Sequence, residues 1–312
     1  MAKAKRNLTV ELWRIIFCLV ILCFHFFTKF EMKPFHAGYL GVEFFFLLSG
    51  LGLYNTYAGY ADGKKTSAIT FLISFIKKRI IRLYPLYLLS MLCMLCVRLA
   101  VHQLALPDLF TYLKDCLAEF FMLQCSPLGR EVMIAANWYV AVLLWGSLLW
   151  MVLLLALGKK TVYIVAPLTT LGLYGYYFFT IGKIDVIFSY HAFLRALAGL
   201  GLGIFLGGLV SLKGRGAADS TKSADNKSLP FALFIIPNLI LAAVVIYTNF
   251  GHRSRWDFAV IFLYFISLLL LLLQGDRFPG RLASLVKKAS GLTYPVYVFQ
   301  MPVIEVLLYI FR

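Results

Sequence analysis

The stretch ELWRIIFCLVILCFHFF, residues 11–27, decides the fold. It is apolar over nearly the length of a helical bilayer crossing, which takes about 20 residues. Two ionisable side chains interrupt it, Arg14 and His25. Eleven residues apart, they are about three helical turns from one another, on one face and roughly 16 Å apart along the axis. Ionisable side chains in hydrocarbon are costly and mark cavities or pathways. An arginine near one surface with a histidine deeper on the same face points to a site reached from within the membrane.

Composition extends this reading to the whole chain. The 312 residues are 62% hydrophobic and 14% charged, with a mean hydropathy of +0.85. A soluble domain is nearer half apolar and a quarter charged. The expected fold is an all-α polytopic transmembrane helix bundle of about nine or ten helices, forming one membrane domain over residues 1–312. The first 30 residues are expected to remain as a span, because the apolar stretch is long and lacks a small-residue cleavage site. The net charge of +16 raises the question of nucleic acid. Its distribution answers against it, because the basic residues gather in short loops between spans.

Nine spans are predicted, near 10–28, 38–58, 83–102, 137–157, 161–181, 190–211, 230–250, 257–274 and 291–311. With the N-terminus in the cytoplasm, 19 Lys and Arg fall on the inside, eight outside and three (Arg14, Arg98, Arg195) within spans. This asymmetry orients the chain in the plasma membrane. The inside segments are the N-terminus with Lys3, Lys5 and Arg6, and the loops 59–82, 158–160, 212–229 and 275–290. The loop 212–229 holds KGRGAADSTKSADNKS and reads as a flexible linker between helical groups 1–211 and 230–312. Segment 103–136 is the longest outside connection, and its part from Pro107 to Gln124 reads as a helix that lies along the interface or re-enters the membrane.

Cysteine and histidine add little. Cys93-x-x-Cys96 has the spacing of a metal or redox pair, but in an apolar helix without histidine partners it reads as buried small residues. Cys116 and Cys125 lie on the outside, where a disulfide is chemically allowed. Five scattered histidines make no metal site. His191 opens a helix at the outer interface, and His36 precedes the second span.

The second span, GYLGVEFFFLLSGLGLY at 38–54, carries Glu43 near its outer end and then Ser49-Gly50. Two readings of Glu43 stand. It is an interfacial carboxylate in contact with water, or it faces His25, orienting the ring and raising its basicity. The glycines suit close helix packing. The third stretch, KKRIIRLYPLY at 77–87, presents Arg79 and Arg82 at i,i+3, on one side, with Pro85 opening the third span. Juxtamembrane basic residues bind anionic lipid; a guanidinium pair also grips phosphates. Arg195, shallow in the sixth span, either lines the same cavity or snorkels to the interface. Asn137 and Trp138 open the fourth span, where Trp138 reads as an interfacial anchor or an acceptor-stacking ring.

These stretches together resemble the family-3 membrane acyltransferases. Glu11-Leu-Trp-Arg14 followed by His25 resembles the acid-x-x-Arg and Arg-x10-His pattern. GYLGVEFFFLLSG resembles the Gly-Val-Asp/Glu-Phe-Phe-x-x-Ser-Gly signature, and Arg79-Ile-Ile-Arg82 with Tyr84-Pro85 resembles Arg-x-x-Arg-x-Tyr-Pro. GLTYPVYVFQMPV at 291–303 is similar to a late Ser-Tyr-Pro-x-Tyr-x-x-His-x-Pro pattern. The resemblance implies transfer of an acyl group, usually acetyl, from cytoplasmic acyl-coenzyme A to a hydroxyl of an acceptor outside, such as a cell-surface polysaccharide or other glycan. Acetyl-CoA would be a donor substrate; no cofactor would be held permanently. His25 would be the base, proton shuttle or transient acyl carrier, Glu43 its support, and Arg14 a stabiliser of donor phosphate or developing charge. Arg79 and Arg82 would bind coenzyme A phosphates. Glu11, Ser49, Arg195 and Trp138 are candidate lining residues.

Two departures stand out. Gln300 occupies the late motif's histidine position, and the predicted spans number nine where the family has about ten. Two alternatives to the enzyme are a proton-coupled transporter or flippase using His25, Glu43 and Arg14 as a relay, and a non-catalytic membrane subunit.

Overall fold

Asn7 starts the first helix and also ties it to the body of the protein. Its side-chain oxygen accepts from Val10 N (3.1 Å), the N-cap bond that satisfies a free helix-end N–H, and its amide donates to Leu271 O (3.1 Å). The computed structural model describes residues 7–63, 66–101, 103–187, 189–219, 231–274, 278 and 280–311. The helices are α1 (Leu8–Lys29), α2 (Gly41–Gly63), α3 (Ala68–Ala100), α4 (Leu109–Asp115), α5 (Leu117–Phe120), α6 (Trp138–Leu157), α7 (Ala166–Tyr176), α8 (Ser189–Asp219), α9 (Phe231–Phe250), α10 (Asp257–Gln274), α11 (Gly280–Gly291) and α12 (Thr293–Phe311). No strand occurs among the described residues.

Each of the nine expected spans is helical. Among the described residues, seven are long and apolar enough to cross a membrane, by length and composition. The other two are α2, whose second half turns polar after Tyr54, and α9, whose described apolar part is the shorter Phe234–Phe250.

The basic loop expected at 59–82 is mostly helix. Gly63 ends α2 and Ala68 begins α3, with Ser67 capping it by accepting from Thr70 N (3.2 Å). Arg79 and Arg82 therefore ride on the wall of a continuous helix. Pro85 sits inside α3 instead of opening it. The linker expected at 212–229 is shortened in the same way. Helix α8 continues to Asp219, and the rest of that stretch lies outside the described residues.

Segment 103–136 does enter the bundle. Tyr84 and Tyr87, in the middle of α3, donate to Phe120 O (2.7 Å) and Glu119 O (2.8 Å). Trp145, two turns into α6, donates to Met122 O (3.0 Å). The α5 turn thus lies wedged between α3 and α6. Glu119 is fully buried there; its carboxylate accepts from Met133 N, from Ile134 N (3.2 Å) and from Asn137 Nδ2 (3.3 Å). Asn137 is spent on this joint. Glu119→Leu would leave two backbone N–H groups without an acceptor, at about 1–3 kcal/mol each. A clearly lower Tm in detergent is expected; an unchanged Tm would show that the segment finds other acceptors. Cys116 and Cys125, in the same segment, are free thiols. Cys116 is buried and Cys125 half-buried.

The closest helix pair is α2 against α8. Gly50 and Gly203 face one another: a Cβ on Gly50 would stand 2.1 Å from Leu200 O, and one on Gly203 would stand 2.1 Å from Leu47 O. Gly199 and Gly207 continue the seam, against Phe46 and Tyr54. Small residues at four-residue spacing let membrane helices approach to backbone contact.

Helices α1 and α12 lie side by side and run the same way. Arg14 Nη2 reaches Thr293 Oγ1 (3.4 Å), Cys18 Sγ reaches Thr293 O (3.4 Å), and Lys29 Nζ reaches Glu305 Oε1 (2.5 Å).

Candidate functional site

The first face of α1 that the sequence singled out is split between two environments. Arg14, Cys18 and Ile21 fall on one stripe of the helix and line a cavity of about 660 Å³, walled also by α2, α3, α6, α10 and α12. That volume suits a mid-sized ligand, in the range of about 300–1,000 Å³. Lys78, Arg82 and Thr56 are exposed at its mouth. Among the described residues its charged lining is Glu11, Arg14, Lys78, Arg79 and Arg82, four cations against one carboxylate. Helix α3 brings Lys78, Arg79 and Arg82 to one wall because residues three and four apart share a face. Arg79 lies over the Phe75 ring, 5.0 Å from its centroid. Arg14 Nη1 is paired with Glu11 Oε2 at 2.8 Å. Ser49 lines the wall opposite and lies against the Tyr139 hydroxyl.

Deeper in, the lining becomes apolar. Ile21, Val42 and Tyr297, all buried, line this inner end. Gly41 gives Ile21 its room, since a Cβ there would stand 2.9 Å from Ile21 Cγ1. His25 follows Ile21 by one turn, about 6 Å further along the axis, and is not part of the lining. Its ring packs on Phe24, centroids 5.0 Å apart. The structure therefore brings together Glu11, Arg14, Ser49, Arg79 and Arg82, and leaves His25 outside the lining.

Glu43 does not face His25. Its two oxygens are taken by Arg195 Nε (2.6 Å) and the Tyr174 hydroxyl (2.7 Å). Glu43 and Arg195 are both 0% exposed. The cause is the α2–α8 seam: close approach of the two helices leaves no room for a buried carboxylate except against the α8 arginine. Arg195 accordingly neither snorkels nor lines the cavity. Its Nη1 stands 3.8 Å from Asp185 Oδ1, and Asp185 also pairs with Arg253 (2.7 Å). Trp138 is no interfacial anchor and no free stacking ring; it is buried, with the Arg195 guanidinium 5.1 Å from its ring centroid. His191 is stacked on Tyr190, centroids 4.1 Å apart, and exposed His36 lies edge-on to His252. On α3, Cys93 is half-buried and Cys96 exposed, so that pair is not a packed core element.

Of the other cavity-wall residues, Tyr139 lay outside every quoted stretch, while Lys78 and Thr293 lay inside 77–87 and 291–303 but were not singled out. Tyr297 was within reach, because it belongs to the 291–303 stretch; what was lacking was the placement of α12 beside α1.

Chemically, the cavity offers two guanidinium groups and one ammonium group on its α3 wall and an apolar end one turn short of His25. Such a shape suits a molecule with an anionic head and a slender, less polar arm. A family model described as an acyltransferase domain, that of acyltransferase family 3, matches residues 7–312. No curated protein and no solved structure matches the chain.

Proposed function

The chain belongs to the family-3 acyltransferases, and from that membership we propose that it carries an acetyl group from cytoplasmic acetyl-coenzyme A to a hydroxyl on the opposite face of the plasma membrane. The acceptor in this reading is a cell-surface polysaccharide or another glycan. The observation that carries the proposal is the cavity itself. Its cationic mouth lies at the basic side of the bundle, beside the α2–α3 connection, and its apolar end stops one turn short of His25.

In this reading Lys78, Arg79 and Arg82 hold the donor's phosphates by charge-assisted hydrogen bonds. The thioester arm runs up the stripe of Arg14, Cys18 and Ile21. Transfer requires Ile21 and Val42 to part, so that the thioester carbonyl meets the acceptor hydroxyl at His25. The hydroxyl oxygen attacks the carbonyl carbon while His25 takes its proton. The carbon–sulfur bond then breaks, the new ester leaves on the acceptor, and the proton returns to the sulfur of free coenzyme A. Arg14, positioned by Glu11 and Thr293, faces negative charge on the donor. Between transfers Ile21 and Val42 stay together and keep the two sides of the membrane apart.

Binding and turnover of labelled acetyl-CoA in lipid nanodiscs test this reading. Arg79→Ala/Arg82→Ala is expected to weaken donor binding about 100-fold or more, from the loss of two charge-assisted contacts. His25→Ala should still bind the donor and lose turnover by about 10²–10⁴. Folded native protein that neither binds nor consumes the thioester would remove the donor assignment and favour a transporter.

A further inference from the structure

The pairing of α1 with α12 places a second polar group at the level of His25. Two contacts fix the register of these parallel helices: Cys18 with Thr293, and Lys29 with Glu305. Counting seven residues on from Cys18 reaches His25; seven on from Thr293 reaches Gln300. Seven residues are two turns, about 10 Å, and return to nearly the same face. Counting four back from Lys29 and Glu305 reaches His25 and Met301, so Gln300 stands within about one residue of the level of His25, one turn beyond Tyr297 at the cavity's apolar end. It is 3% exposed, and its Nε2 is buried without a hydrogen-bond partner among the described residues. A buried donor left unpaired lowers stability. The neighbouring α12 residues Val298, Met301 and Ile304 belong to the apolar core, so packing alone gives no reason for an amide there.

Building on the acyl-transfer reading, we propose that Gln300 is a catalytic residue whose Nε2–H donates to the carbonyl oxygen of the acyl group during transfer at His25. As the attacking hydroxyl adds to the carbonyl carbon, the carbonyl electron pair moves onto its oxygen and His25 takes the hydroxyl proton. The Gln300 amide meets the negative oxygen that forms. When the pair returns, the carbon–sulfur bond breaks and the sulfur leaves with the proton from His25. A donor that is idle at rest and engaged only when charge develops favours the transition state over the ground state.

The test uses the native chain in nanodiscs with acetyl-CoA as the probe and water as the acceptor. Release of free coenzyme A, donor affinity and Tm are measured for Gln300→Leu, Gln300→Glu and Gln300→His. The Leu and Glu variants, which lack the N–H, are expected to lose about 100-fold in turnover, with donor affinity within about threefold of native. Gln300→Leu should match or exceed the native Tm, because the unpaired donor is gone. Gln300→His, which keeps a ring N–H, should retain more turnover than either. Turnover of Gln300→Leu within about threefold of native would overturn the proposal. So would losses of turnover that simply track losses of Tm across the three variants. If the folded native chain binds no acetyl-CoA, the donor reading itself fails and this proposal falls with it; the binding measurement separates that case from failure at Gln300 alone.

Discussion

Arg195→Ala is expected to cost about 3–5 kcal/mol of stability, enough to lose most of the folded protein. The change strands Glu43 at 0% exposure, with only the Tyr174 hydroxyl left to meet it. Glu43→Ala should cost less, because Arg195 keeps Asp185 at 3.8 Å and the Trp138 ring at 5.1 Å. Replacing both partners, as Glu43→Leu/Arg195→Leu, should recover much of the loss, since apolar pairs often substitute for buried ion pairs without penalty. Thermal unfolding in detergent of the native protein, Glu43→Leu, Arg195→Leu and the double leucine variant gives the coupling directly. If Glu43 served chiefly to tune His25, Glu43→Ala would keep the native Tm and lose turnover alone. That result would return Glu43 to the catalytic group.

Gly50→Ala and Gly203→Ala should be nearly as severe, through a different cause. One methyl on either glycine would lie 2.1 Å from a backbone carbonyl oxygen and 2.8 Å from the facing glycine's Cα. Backbone cannot swing aside as a side chain does, so the helices must separate. Separation also stretches the Glu43–Arg195 pair, which spans the same seam. A loss of several kcal/mol is expected, in the upper part of the range for overpacking. Gly52→Ala is the control, because a Cβ there meets nothing within 4 Å. It should be neutral or slightly stabilising, as alanine for glycine in a helix usually is. Equal losses at Gly50 and Gly52 would mean that helix propensity, and not the seam, sets the cost.

Much of the architecture could be read from periodicity and charge, because a membrane span is a strong local signal. What stayed hidden was pairing. Arg14 and His25 fall on one face of α1 as expected, yet nothing local says that Ile21, between them, lines the same cavity as Val42 and Tyr297 while His25 does not. Glu43 was visible as an intramembrane carboxylate. Its partner lies 152 residues away on α8, and its choice depends on glycines whose spacing shows that some helix comes close without saying which. Arg79 and Arg82 were assigned to a loop because basic clusters usually mark loops between spans. Here the helix extends well beyond the apolar stretch, and the two arginines gain a fixed direction they would not have in a loop. Asn137 and Trp138 looked like interface residues because they open a helix. That helix begins inside the bundle, where the Glu119 joint receives it.

The side-by-side placement of α1 and α12 also bears on how the chain is made. Roughly 280 residues are synthesised after Arg14 before Thr293 exists to receive it, about 15–60 s at ordinary rates of translation. Through that interval the wall of the cavity is missing, and an arginine sits in a newly inserted helix without its eventual neighbour. Glu11 lies one turn away in the same helix and neutralises it from the start. The first helix thus brings its own counter-charge into the membrane, and the cavity closes only when the last helix arrives.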